Sequence, residues 1–97
     1  MIVRTTRRAK ADIRALSKLM RSYDRSAAVA FLTRLDAGLK TLSDHPFSGV
    51  DCPEFGPGVR KKVIGLTLIF YTARSDEVVV LRALDGRIHD KLLGCAE

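Results

Sequence analysis

The chain has 97 residues, of which 46% are hydrophobic, and a formal net charge of +6. This length fits one domain over residues 1–97, and the hydrophobic fraction excludes a disordered chain. No apolar run approaches the roughly 20 residues that span a bilayer, and the basic start lacks the apolar segment of a signal peptide. We therefore expect a soluble, cytoplasmic protein without membrane contact.

The first part of the chain predicts a short strand and a helix. Residues 1–5 alternate weakly between apolar and polar and are rich in β-branched side chains, which favours a strand. From Arg7 onward, apolar residues recur at steps of three and four up to Tyr23, which predicts a helix. Thr5 or Thr6 would cap its start, because a threonine hydroxyl accepts hydrogen bonds from free helical N–H groups.

A second helix follows after a short break. Its apolar stripe begins after a cap at Asp24 or Ser26 and runs to about Ser43, and Pro46 cannot continue the helix. Because the break between the helices is short, they should pack against each other as an antiparallel hairpin.

The second half of the chain predicts a long loop and three strands. Residues 46–58 hold three prolines and three glycines, which is typical of a loop. Strands should follow at Val59–Ile64, Leu66–Tyr71 and Val78–Leu84, with the last two central because they are the most apolar. The expected fold is α+β: a short strand, a helical hairpin and a three-stranded antiparallel meander, in the order β-α-α-β-β-β.

The positive charge excess lies entirely in the first 25 residues, which hold eight Lys or Arg against two Asp. Arg14, Lys18 and Arg21 follow helical steps on the polar side of the first helix. A row of this kind is typical of a solvated face or of a docking surface for an acidic partner. Nucleic acid ranks behind both, because no aromatic residues are interleaved for base stacking.

Cations also recur along the strand region, and His89 follows the last strand. Arg and Lys suit phosphate oxygens, and a histidine supplies the base that cleavage of RNA through its own 2′-hydroxyl requires. If the protein is a nuclease, its catalytic set would be Arg60, Arg82 and His89. The alternative is ordinary edge-strand charge that discourages aggregation.

Nothing in the chain predicts a metal or a cofactor. Cys52, His45 and His89 match no zinc-ligand spacing, and the Gly56–Gly58 segment lacks the GK[ST] of a phosphate-binding loop. We expect neither.

Several short sequence motifs occur along the chain in a distinctive order. "AKADIRAL" and "AAVAFLTRL" lie on the two helices, "HPFSG" follows the second, and "GPGVRKKVIGLTLIFY" and "VVVLRALDGR" cover the strands. Over almost the whole chain, this order and spacing resemble the ParE branch of the RelE/ParE toxin superfamily. Two positions depart from the family patterns: no Tyr follows Arg82, and Asp85 replaces a common His.

The resemblance implies the toxin of a type II toxin–antitoxin system with a RelE/ParE-like fold. Its partner would be a cognate, acidic, DNA-binding antitoxin in a hetero-oligomeric complex. ParE-like members are associated with plasmid stabilisation and with growth arrest through inhibition of DNA gyrase, which would be non-catalytic. The alternatives are a RelE-like, ribosome-dependent mRNA endoribonuclease and a degenerate toxin that acts only with its antitoxin in operon repression.

The two basic regions then receive different expected roles. The antitoxin-binding residues would be Arg14, Lys18 and Arg21. The target-binding residues would be the sheet cations and the histidine that follows them: Arg60, Lys62, Arg74, Arg82, Arg87 and His89.

Overall fold

In the part of the chain that the structure describes, a five-stranded sheet carries two helices packed on one face. The computed structural model describes residues 1–74 and 76–87. In chain order the elements are β1 (Ile2–Thr5), α1 (Arg7–Tyr23), α2 (Arg25–Asp44), β2 (Val50–Asp51), a 3₁₀ turn (Pro53–Phe55), β3 (Val59–Ile64), β4 (Thr67–Ala73) and β5 (Glu77–Asp85). The strand order is β1-β5-β4-β3-β2, in which β1 runs parallel to β5 and all other neighbours are antiparallel.

The α+β fold predicted from the sequence is confirmed, including the helical hairpin and the antiparallel meander of β3, β4 and β5. As predicted, β4 and β5 are interior strands of the sheet. The sheet as a whole is mixed rather than fully antiparallel, because β1 joins the outer side of β5 in parallel. The two-residue β2 and the 3₁₀ turn were not predicted. Elements this short carry no hydrophobic period, so a sequence pattern cannot reveal them.

The helix starts depend on two side-chain caps. The Thr6 hydroxyl accepts from the Ala9 N–H at 3.2 Å, and the Asp24 carboxylate accepts from the Ser26 N–H at 3.3 Å. Asp24 is the single residue between the helices, and its own N–H donates to the Met20 carbonyl. One residue thus ends α1 and begins α2, which folds the two helices back on each other.

The main core lies between the helices and the sheet. Leu35 and Leu42 of α2 are buried against Tyr71, Val78 and other apolar residues of the sheet. Gly38 allows this approach, since a β-carbon there would lie 2.5 Å from the Ile64 Cδ1 atom. The glycine therefore sets how closely α2 packs on β3.

The second face of the sheet is covered by part of the long loop predicted before the strands. Phe55 of the 3₁₀ turn stacks on Phe70 with ring centroids 3.9 Å apart, and Cys52 is fully buried in the same cluster. Strand β4 is consequently buried on both faces, which explains why its sequence is a continuous apolar run and not an alternation.

Asp12 connects α1 to the part of β5 that β1 does not reach. β1 pairs with β5 only as far as Val80. Beyond that point, Arg82 Nε and Nη2 donate to the Asp12 carboxylate at 2.7 and 3.1 Å, and the Ala83 N–H donates to it at 3.1 Å. One carboxylate thus satisfies a strand-edge N–H and a bidentate guanidinium.

The environment of Asp12 favours its charged form. Partial burial alone would raise its pKa, but the hydrogen bonds from Arg82 and Ala83 and the positive charges of Arg82 and Arg8 outweigh burial and lower the pKa. A carboxyl whose pKa is lower in the folded protein than in the unfolded chain stabilises the fold at pH values above its ordinary pKa of 3.8. This contribution to stability is lost as the pH falls below 3.8 and through the lower pKa of the folded state.

We expect Asp12→Asn to lower the free energy of unfolding at pH 7 by about 1.5–3 kcal/mol, because it removes a charge-assisted bidentate contact. Urea unfolding from pH 7 to 2.5 should show the difference from wild type shrinking below pH 3.8. Asp36→Asn is the matched control, since the Asp36 side chain is 71% exposed and pairs only with Lys40. Equal losses in the two variants, or a pH-independent difference, would contradict this account.

The loop after α2 is held by the buried hydroxyl of Tyr71. This hydroxyl donates to the Pro46 carbonyl and accepts from the Gly49 N–H, both at 2.9 Å. Burial raises the pKa of Tyr71, so the phenol stays neutral and remains a donor. Gly49 permits the contact, because a β-carbon there would lie 2.6 Å from the Tyr71 oxygen.

We expect Tyr71→Phe to lower the free energy of unfolding by about 1–3 kcal/mol, since it leaves a buried donor and an acceptor unpaired. Tyr23→Phe removes the same atom from a residue that is 76% exposed and should leave stability unchanged. Chemical denaturation of both variants checks the prediction, and a Tyr71→Phe variant as stable as wild type would refute it.

Candidate partner-binding surfaces

The first candidate surface is the basic stripe on α1, defined by Arg14, Lys18 and Arg21. All three residues are exposed and lie on one face of the helix, at steps of four and three. Within residues 1–74 and 76–87, none of them forms an ion pair. The structure therefore brings the sequence-predicted antitoxin residues together, with their charges directed to solvent.

Most of the predicted target-binding cations already have partners inside the molecule. Arg82 is held by Asp12, and its side chain is only 27% exposed. Arg60 donates to the Gly49 carbonyl at 2.8 Å, forms an ion pair with Asp51 at 3.4 Å and lies 5.0 Å from the centre of the Phe47 ring. These contacts hold both guanidinium groups within the fold.

Arg87 pairs with the residue that departs from the family pattern. Its Nη2 and Nε atoms donate to the Asp85 carboxylate at 3.0 and 3.2 Å, and its N–H donates to the same group at 2.9 Å. The hydrogen bond and charge of Asp85 raise the pKa of Arg87. The carboxylate at position 85 thus orders the chain just after β5 and neutralises its nearest cation.

Lys62 and Arg74 differ from the other cations, because neither has an ion-pair partner in the described part of the chain. Lys62 is half-buried in β3, and Arg74 is exposed in the turn after β4. Arg74 and Arg87 lie at opposite ends of the nine-residue β5, roughly 30 Å of extended chain apart. The described cations are therefore dispersed over the sheet, and His89 falls outside the described residues.

The ion pairs that these carboxylates form with the arginines were not predicted from the sequence. Asp12 is the only acidic residue of α1, which is the one sequence signal that marks it as a partner for a cation of the sheet. Asp85 lies two residues before Arg87, but this spacing is too common to predict an ion pair. The exposed Phe47 beside Arg60 follows only from the path of the loop.

Two further properties concern the described residues alone. They contain no helix long and apolar enough to cross a membrane. They also contain no group of His, Cys, Asp and Glu side chains arranged to hold a metal ion.

Comparisons with known proteins agree on one family. Residues 3–89 match the family model described as the ParE toxin of the type II toxin–antitoxin system parDE. Toxin ParE3 of Caulobacter vibrioides is 34% identical over 62 residues, which are 64% of this chain and 62% of that protein. The chain thus aligns with less than two thirds of this curated relative.

A solved structure shares the fold. The chromosomal ParDE toxin–antitoxin system of P. aeruginosa contains a chain that superposes with a TM-score of 0.74 at 22% identity, covering 88% of this chain and 95% of that one. At 22% identity this similarity shows a shared fold, and the match to the family model shows the family. The chain belongs to the ParE toxin family of type II toxin–antitoxin systems.

Proposed function

We propose that the protein is a cytoplasmic toxin that arrests growth by binding and inhibiting DNA gyrase without catalysing a reaction of its own. A cognate antitoxin, acidic and DNA-binding, neutralises it in a hetero-oligomeric complex. Family membership and the fold shared with a chain of the P. aeruginosa ParDE system support the toxin–antitoxin part of this proposal.

The observation that carries the non-catalytic reading is the occupied guanidinium of Arg82. A nuclease needs cations that face the phosphate in the transition state. Here Asp12 takes two of the five N–H donors of Arg82, one on Nε and one on Nη2, and the Arg60 side chain is directed to loop carbonyls and Asp51. Breaking a bidentate pair to bind phosphate would cost much of what the new contact gains. These contacts favour binding over RNA cleavage.

The proposed contact with the target includes the two sheet cations that remain unpaired among the described residues. Lys62 and Arg74 suit an acidic surface, and the end of the chain around His89 would extend this contact. Because the two cations lie apart on the sheet, the target surface would be broad and not a pocket.

We expect the charge reversals Lys62→Glu and Arg74→Glu each to raise the concentration that half-inhibits gyrase supercoiling by about tenfold, because they place like charges in the interface. Arg7→Glu makes the same charge change at an exposed α1 position outside the proposed contact. This control should change the half-inhibiting concentration less than twofold. His89→Ala should retain growth arrest if no catalytic base is involved.

Two results would overturn the gyrase proposal. One is supercoiling that stays unchanged in a large excess of purified protein. The other is the appearance of cleaved transcripts after induction, with His89→Ala abolishing cleavage, which would establish the endoribonuclease alternative. A complete absence of any growth phenotype would favour a degenerate toxin that acts with its antitoxin in operon repression.

The basic stripe is the proposed electrostatic contact for the antitoxin. Its three charges are exposed and unpaired within the described structure, and the antitoxin proposed here is acidic. Reversing all three in Arg14→Glu/Lys18→Glu/Arg21→Glu should slow association at least tenfold, because rim charges act mainly on the association rate. Stopped-flow measurements at low and high salt test this: wild-type association should slow with salt, and the variant's should not. An unchanged association rate would refute the placement.

A further inference from the structure

The cysteine that precedes the 3₁₀ turn is covalently bonded. Cys52 takes part in a disulfide, and no cysteine of the described residues is free. The chain has one other cysteine, Cys95, which falls outside the described residues. Disulfides are rare in the cytosol, and those that form there are usually transient and redox-sensing. The bonded state of Cys52 is therefore a feature that the proposed toxin function does not explain.

The surroundings of Cys52 favour a partner from the same chain. Its side chain is fully buried, in an apolar cluster with Val59, Leu68 and Phe70 on the face of the sheet opposite the helices. A symmetric bond between the Cys52 residues of two copies would require both sulfur atoms to lie at the surface. A partner from the same chain, in contrast, is buried together with Cys52 as part of the fold.

The sequence after β5 is long enough to reach Cys52. The Cys52 N–H donates to the Val59 carbonyl at 2.9 Å, and the Gly86 N–H donates to the Leu66 carbonyl at 2.8 Å, so the two positions lie at opposite ends of β3. Five steps along β3 and three strand spacings across the sheet put them about 22 Å apart. The eight residue steps from Arg87 to Cys95 span at most about 26–29 Å when extended.

The residues that follow Arg87 suit an apolar face. They include Ile88, Leu92 and Leu93. On the face that holds Cys52, Val63 is 55% exposed and pairs with the buried Leu68. Apolar side chains drawn over this face by a bond to Cys52 would leave water, which favours the bonded arrangement.

We propose that Cys52 and Cys95 form an intramolecular disulfide that ties the carboxyl-terminal segment, residues 88–97, to the sheet under oxidising conditions and releases it under reducing ones. Bond formation removes one hydrogen atom from each thiol. A low-molecular-weight disulfide such as oxidised glutathione accepts both hydrogens and the two electrons and becomes two thiols. Excess reduced glutathione reverses the exchange.

The disulfide bears on the proposed target contact, because His89 lies between Arg87 and Cys95 in the chain. A segment held at both ends loses less conformational freedom on binding than a segment held at one end. The oxidised protein should therefore inhibit its target at a lower concentration than the reduced protein. This consequence rests on the gyrase function proposed above, whereas the disulfide itself does not.

Thiol counting and peptide mapping test the bond in the full-length protein. Protein equilibrated with oxidised glutathione and then denatured in acid should offer no thiol to an alkylating reagent, and protein equilibrated with reduced glutathione should offer both. Digestion without reductant should yield one linked pair of peptides, containing Cys52 and Cys95. Free thiols after oxidation, or a covalent dimer on a non-reducing gel, would overturn the proposal.

Thermal unfolding tests whether the bond stabilises the fold. Reduction should lower the unfolding midpoint of the wild-type protein by roughly 10 °C, because the open loop regains conformational freedom in the unfolded state. Cys95→Ser and Cys52→Ala should each unfold at one midpoint, whatever the glutathione ratio. Cys95→Ser is the more informative variant, since Cys52→Ala also leaves a gap in a buried cluster. A reductant effect of the same size in Cys95→Ser would contradict the assignment.

Supercoiling assays without added reductant test the consequence for the target. Cys95→Ser should need an about threefold higher concentration than the oxidised wild type for half-inhibition of gyrase, and the two proteins should be equal after reduction. Equal inhibition before reduction would overturn the redox dependence and leave the disulfide standing. No inhibition by either protein would count against the gyrase function, while the thiol count and the peptide map still decide the disulfide.

Discussion

The bidentate contact between Asp12 and Arg82 is the constraint on which the arrangement of helices and sheet depends. β1 covers the edge of β5 only up to Val80, and the edge N–H of Ala83 would otherwise face no partner. The Thr6 hydroxyl adds to the same junction by donating to the Leu81 carbonyl at 3.2 Å. A helix start thus completes a sheet edge, so that α1 cannot shift along β5 without exposing strand backbone.

The same contact links the fold to the proposed function. Arg82 is one of the two arginines of the catalytic set that the sequence predicted for a nuclease, and its guanidinium holds α1 in position. Asp85 likewise holds the guanidinium of Arg87, and the Gly49 carbonyl in the loop holds that of Arg60. Many of the sheet cations therefore maintain structure, which leaves Lys62 and Arg74 of the sheet and the basic stripe of α1 for the proposed contacts.

The helices and strands with a strong hydrophobic period or a long apolar run were predictable from the sequence. The apolar steps in α1 and α2, the capping residues Thr6 and Asp24 and the apolar runs of β4 and β5 are local signals, and each predicted element lies within a few residues of its observed bounds. The parallel addition of β1 could not be predicted, because four residues carry no information about which edge they join. The position of the 3₁₀ turn against the sheet depends on the stacking of Phe55 on Phe70, a contact between distant residues.

The surfaces were less predictable than the elements for the same reason. A helix face can be derived from spacing, so the stripe of Arg14, Lys18 and Arg21 was identified correctly as one exposed row. An apolar depression lined by Met20, Phe31 and Leu66 combines residues of α1, α2 and the β3–β4 turn, and only the packing of these three segments creates it. Whether an arginine faces solvent or a carboxylate likewise depends on contacts far apart in the chain, as between Asp12 and Arg82.

The parallel pairing of β1 with β5 has a consequence for how the chain is made. β1 is the first strand to be synthesised, yet its strand neighbour in the described structure is β5, so its backbone lacks this partner until residues 77–80 exist. Contacts between such distant segments close large loops and form slowly. During translation the basic first helix and the exposed strand precede their partners by most of the chain's length. The sheet therefore cannot close until residues 77–80 have been made, and any contact that the basic first helix makes before that point is with an incomplete domain.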